Sequence, residues 1–275
     1  MSSLRTCWLL AFPLLFAWDT ALPRRAFAQR YVLELRPRFG DTLRLRLDQT
    51  SEVSGSRQGR ASTKQIVTTL SMFSRAIVEH STPASATILA ITDSVTFNST
   101  DERAMPLMRA TQTQLTGRQM RLRLAPDGTV TLAEDVPRVA REVAELVSVM
   151  PASFPRASVA IGDTWLREVP IPPAASYGVP LGGVVKAAFR LDSVSADGHN
   201  AYLTLRGTVV QPGSTPADKG MITGSLNGSM IVDRHRGWLS ESRFLVQMRT
   251  TVTPSGAPPM DFRVKVTQHM RVIER

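Results

Sequence analysis

The stretch Phe262-Arg263-Val264-Lys265-Val266-Thr267-Gln268-His269-Met270-Arg271-Val272 alternates along almost its whole length. Phe262, Val264, Val266, Met270 and Val272 fall on one side of an extended chain, and Arg263, Lys265, Thr267, His269 and Arg271 on the other. Successive side chains of a strand point to opposite faces, so this is a strand with one face buried and one in water. The segment before it has the same rhythm, Phe244, Val246, Met248 and Val252 alternating with Arg243, Gln247, Arg249 and Thr251. Between them, Thr253-Pro254-Ser255-Gly256-Ala257-Pro258-Pro259 has the composition of a loop, and the two strands are expected to pair as a hairpin.

Outward from this hairpin the pattern recurs. Leu43, Leu45 and Leu47 oppose Thr42, Arg44 and Arg46, and Met120, Leu122 and Leu124 oppose Gln119, Arg121 and Arg123. Turns are expected at Pro126-Asp127-Gly128, Ala196-Asp197-Gly198 and His235-Arg236-Gly237, where glycine supplies the positive φ that tight connections use. The expected fold is mainly β: long antiparallel meander strands in a curved sheet or half-barrel.

One segment departs from period two. Val136, Val139, Ala140, Val143, Leu146, Val147 and Met150 follow helical spacing, with Arg138, Arg141, Glu142 and Glu145 opposite. Asp135 would cap this helix and Pro151 would end it. It separates two similar stretches: Gly40-Asp41-Thr42 opens the first, and Gly162-Asp163-Thr164 opens the second 122 positions later. Gly117 and Gly228 are expected to be later counterparts, each opening a strand. The organisation read from these features is a first β half over 29–134, a linking helix over 135–151 and a second β half over 152–275, with 29–275 as a single domain the alternative.

Residues 1–28 have the form of an export signal. Arg5 precedes the apolar run from Cys7 to Trp18, and Ala26-Phe27-Ala28 is a small-x-small cleavage site. The run is too short to span a bilayer, and no later run is longer, so no transmembrane span is expected after Ala28. Cleavage there would remove Cys7, the sole cysteine, leaving no thiol for a disulfide or a soft metal. An exported, periplasmic or extracellular protein is the expectation. The signal holds Arg5, Arg24, Arg25 and Asp19, which take two of the ten net positive charges and leave +8. Lysine occurs only at 64, 186, 219 and 265, so 29 of the 33 basic residues are arginine. That skew has a compositional origin as one reading and attraction to an anionic envelope surface as the other. A nucleic-acid partner is not expected, since no recognition motif or aromatic-spaced basic stripe is present.

Chemistry-bearing motifs are scarce. The sequence holds no G-x-S-x-G elbow, no phosphate loop, no H-E-x-x-H and no G-x-G-x-x-G. His80 ends a strand, His199 and His235 fall in turns, and His269 lies on a polar strand face, all structural or solvated positions. Asp233 with His235 is the best pair of metal ligands, but two ligands do not close a site. Asp101-Glu102 and Glu134-Asp135 are sequence neighbours suited to capping, and Asp41 and Asp163 are suited to bonding backbone N–H groups after their glycines. No catalytic residue, metal or cofactor is expected.

The order of an early Gly-Asp-Thr strand, Met150-Pro151, Ala160-Ile161-Gly162-Asp163-Thr164-Trp165 and a late Asp233 to Gly237 turn resembles a family of exported bacterial β-rich proteins classed only as a domain of unknown function. More loosely, long alternating strands under a covering helix look like the lipoprotein-carrier half-barrels of the bacterial envelope. That likeness implies a curved open sheet holding acyl chains, and it is an analogy of fold alone. The functional expectation is a non-catalytic envelope protein that binds a lipid or other amphipathic ligand on the apolar face formed by Leu122, Leu124, Leu146, Phe244, Val246, Val264 and Val266. The alternatives are a structural or protein-interaction module with a filled core, and an enzyme with an unrecognised site.

Overall fold

The computed structural model describes residues 29–57, 64–133, 153–171, 183–210, 222–252 and 260–273. The expected signal at 1–28, the expected helix at 135–151 and the expected loop at 253–259 lie outside the described residues. Thirteen strands are described: β1 (Arg30–Tyr31), β2 (Thr42–Arg57), β3 (Lys64–Ser81), β4 (Ala86–Ser99), β5 (Gln119–Leu124), β6 (Val130–Leu132), β7 (Val159–Ala160), β8 (Thr164–Ile171), β9 (Gly183–Val194), β10 (Asn200–Val210), β11 (Thr223–Asp233), β12 (Trp238–Val252) and β13 (Met260–Val272).

Eleven of them form one antiparallel sheet in the order β6-β5-β4-β3-β2-β13-β12-β11-β10-β9-β8. Two meanders run along it, joined where β13 lies beside β2. The expected hairpin is present, with Val246 opposite Val266 and Met248 opposite Val264. The turn glycines Gly128, Gly198 and Gly237 have φ of 88, 75 and 63, as their turns require.

The Gly-Asp-Thr sequences build two corners of the same design. Gly40 donates its N–H to Val78 O, and Val78 N–H donates to Asp41 O; Gly162 and Leu191 repeat this, with Leu191 N–H donating to Asp163 O. The carboxylates act as expected on backbone donors, Asp41 on Arg38 N at 3.1 Å and Asp163 on Ala160 N at 2.8 Å. Gly117, with φ of 78, makes a third corner, donating to Thr92 O. Gly228 is not its counterpart: it lies inside β11 with ordinary strand geometry. A glycine within a strand marks close packing as readily as a turn, and periodicity does not separate the two.

One helix is described, α1 (Met105–Leu115), entered through a 3-10 turn at Glu102–Ala104 that Asp101 caps by accepting from Arg103 N–H. It connects β4 to β5 and packs on β4. The sequence reading did not assign it. Its half-buried side is Ala104, Met105, Met108, Thr111, Gln112 and Leu115, a helical spacing blurred because two of the six are polar.

The sheet is open but strongly curled. Phe154 N–H donates to Asp127 O in the β5–β6 turn, while Phe154 O accepts from Arg167 Nη2 and Ser153 O accepts from Trp165 Nε1, both on β8. In a flat sheet β5 and β8 would stand nine strand spacings apart, roughly 43 Å. Two consecutive residues reach both, so the edges are brought together around the apolar face. Residues 29–39 cross the same end: Leu33, Leu35 and Pro37 are buried, Leu35 N–H donates to Pro126 O, and Arg38 Nη2 reaches His235 O at 3.4 Å. Arg234 fixes this crossing, its guanidinium 5.1 Å from the Tyr31 ring centre and its Nη1 2.6 Å from Gly198 O.

Candidate functional site

Strand register places one apolar face continuously across the sheet, and burial along it changes from one flank to the centre. At the β9–β10 flank, Ala187, Phe189, Leu191, Leu203 and Leu205 are 0–2% exposed. Trp165 of β8 stacks on Phe189 with ring centres 5.9 Å apart. Phe154 and Leu33 belong to the same connected core. This flank is filled.

The centre is not filled to that degree. Three register rows cross β11, β12, β13, β2 and β3: Met270, Leu47 and Met72; Phe244, Gln268, Gln49 and Leu70; Leu226, Val246 and Val266. These ten are half-buried, whereas Ser242 beside Met270 in the first row and Ser51 beside Val266 in the third are buried. The second row continues through Gly228 to Leu205 and Phe189, so a single line of residues passes from dry core to partly open trough. A Cβ at Gly228 would lie 2.6 Å from Phe244 Cδ1. The bare glycine is what admits the Phe244 ring this close to the β11 backbone.

Gln49 and Gln268 face each other in the middle of this apolar floor. Gln49 Nε2 donates to Ser51 Oγ at 3.3 Å, whereas the Gln268 amide has no hydrogen-bond partner among the described residues. A half-buried amide left with unused donors and an acceptor is an oriented polar contact in a mostly apolar surface. The sequence reading missed both. The trace it left was the break at 268, the one even position from 262 to 272 that is not apolar.

Of the residues expected to line the apolar face, Phe244, Val246 and Val266 stand together in the trough. Val264 shares the face but is buried at 3% exposure. Leu122 and Leu124 lie on the same face yet on β5, buried against β4 and β6, away from the central strands. Leu146 lies outside the described residues.

The opposite face is polar and laced with ion pairs. Glu241 accepts from Arg243 at 2.7 Å and from His269 at 2.8 Å. Burial pushes the Glu241 carboxyl up, but these two bonds outweigh it and hold the group below its ordinary value. At the filled end, burial raises Asp127 while the Thr129 hydroxyl and N–H, with the Arg167 charge, lower it further than burial raises it. Arg167 lies on the apolar side of β8, opposite Ala187, and its buried Nε has no hydrogen-bond partner among the described residues. Asp233 and His235 do not gather further ligands. His235 packs on His199 with ring centres 5.1 Å apart, Asp233 accepts from Arg236 N–H, and no group of three ligating side chains occurs among the described residues. No described helix is long and apolar enough to cross a membrane.

No family model and no curated protein matches the chain. Among solved structures it is similar to one of lipid–protein interactions in lipovitellin, at 7% identity and a TM-score of 0.53 over 86% of this chain. The chain spans 25% of the length of that structure. A second match, to DynF from the dynemicin biosynthesis pathway of Micromonospora chersina, covers 91% of this chain and 88% of the other at 8% identity, and its TM-score of 0.22 is too low to bear on the fold. The likeness to the lipovitellin structure is one of fold alone.

Proposed function

We propose that the central trough holds an amphipathic ligand of the lipid class and that the protein is a non-catalytic binder or carrier of it. The observation that carries this reading is the half-buried row Phe244, Gln268, Gln49 and Leu70 on a face whose flank is packed dry. Apolar surface that a fold leaves partly open is costly in water, and covering it with an acyl chain recovers about 25 cal/mol for each Å² removed from solvent. The two glutamines supply hydrogen bonds for a carbonyl, ester or hydroxyl, so a molecule with a polar junction suits the trough better than a plain hydrocarbon. The similarity to a structure of lipid–protein interactions in lipovitellin is support of the same kind, at the level of fold. The export pattern at 1–28 supports a setting outside the cytoplasm for this activity.

The test is native mass spectrometry of protein purified without detergent, followed by displacement of a fluorescent fatty acid. Co-purifying lipid that is lost in Val246→Lys, with circular dichroism unchanged, supports the reading. A clean apo mass with no displacement leaves the filled-core structural module as the better account.

A further inference from the structure

On the polar face, two arginines stand directly opposite each other on neighbouring strands at three places: Arg46 with Arg271, Arg44 with Arg75, and Arg249 with Arg263. Like charges in register repel and weaken a sheet. At two of the three places the chain supplies the counter-charge. Asp48 takes Arg46 in a two-pronged bond at 2.8 and 3.0 Å, and Asp93 takes Arg75 at 2.9 and 3.1 Å.

Arg249 and Arg263 have no such carboxylate among the described residues. The two acids on the same face nearby in sequence or register are already engaged. Glu52 accepts from Lys265 Nζ at 2.7 Å and from Gln65 Nε2 at 3.1 Å, and Asp261 accepts from the Thr251 hydroxyl at 2.6 Å. Both arginines also line a groove of about 440 Å³, together with the paired Glu52 and Lys265 and with Gln65, Gln247 and Ser225. The groove therefore offers two unneutralised guanidinium forks side by side, with amide and hydroxyl groups around them. That is the donor set for a tetrahedral oxyanion, which accepts two-pronged bonds from each arginine and removes the repulsion between them.

We propose that this groove binds a phosphate group, gripped between Arg249 and Arg263. The group belongs either to a small soluble phosphate compound or to a phospholipid head. The site lies on the face opposite the trough, so it stands or falls independently of the apolar ligand.

The experiment titrates the protein with inorganic pyrophosphate by calorimetry and measures flotation with phosphatidylcholine vesicles, with and without phosphatidylglycerol. The double variant Arg249→Gln/Arg263→Gln is compared with Arg123→Gln/Arg206→Gln, which removes the same charge from exposed positions on other strands. Binding is expected to weaken by at least about tenfold in the first variant, because each lost charge-assisted bond is itself worth about that factor, and to change by less than about twofold in the second. That pattern with pyrophosphate but not with vesicles assigns the site to soluble phosphate compounds. The same pattern with phosphatidylglycerol vesicles assigns it to head groups, whether or not pyrophosphate binds. Equal weakening in both variants, or no binding of either probe by the unaltered protein, overturns the proposal.

Discussion

The β9–β10 flank and the β12–β13–β2 centre share one face of one sheet, yet they are used differently. On the flank, Phe189 is 1% exposed, stacked by Trp165 and joined in one core to Phe154 and Leu33. In the centre, Phe244 occupies the same register row with Gly228 as its neighbour and remains half-buried. Both rings come from equivalent positions in alternating strands, so the difference is made by what the rest of the chain lays over them. Curling a sheet of this width brings its two edges together at the Phe154 segment, and the flank is packed there. Burial at one side stabilises the fold and frees the centre from having to do so.

This contrast predicts unequal costs for equal changes. Phe189→Ala is expected to destabilise by about 3–5 kcal/mol, since it removes a fully packed ring and leaves a cavity. Phe244→Ala, with its ring already part-exposed, is expected to cost less than about half of that by the same reasoning. Denaturant midpoints with unchanged slopes measure both, and equal costs would break the distinction between flank and centre.

A substitution at the boundary sharpens it. Gly228→Ala would bring a Cβ within 2.6 Å of Phe244 Cδ1 and 2.5 Å of Arg243 O. Backbone cannot yield as a flexible side chain can, so a loss of about 1–3 kcal/mol is expected from overpacking. The Phe244 ring is pushed into the trough, so fatty-acid displacement should weaken together with stability. Unchanged binding would mean that the space above Phe244 is not the site.

Acid should act on the filled end. Asp127 is held below the ordinary carboxylate value, so its contribution is present above about pH 4 and is lost as pH falls through its lowered folded-state value. Asp127→Asn is expected to reduce thermal stability at neutral pH and to flatten the loss that the unaltered protein shows below about pH 4. An unaltered acid limb in the variant would show that this turn, which also accepts from Phe154 N–H, does not govern the closure.

The contrast between flank and centre also marks what the sequence could convey. Alternation in 243–252 and 262–272 was enough to give the hairpin and its facing, because period two records which side of a strand meets the core. Gly-Asp-Thr gave the corners, since a positive φ and a carboxylate beside a backbone donor are local requirements. Leu33, Leu35 and Pro37 alternate just as clearly, but their partners are turns far along the chain, and no local pattern says that an extended segment will cross the end of a sheet. Gln49 and Gln268 were illegible for a related reason: each is an unremarkable polar residue until register sets them face to face. Helix α1 escaped notice because Thr111 and Gln112 occupy its inner side.

The most direct test of the trough compares methyl signals on the two parts of this face. In methyl-labelled protein titrated with a nitroxide-bearing stearic acid, broadening should concentrate on Val246, Val266, Leu226 and Leu47. Leu191, Leu203 and Leu205, sealed in the flank, should keep their intensity. Equal broadening of both sets, or broadening confined to exposed positions such as Val32 and Leu166, would contradict an acyl-binding trough in the centre of the sheet.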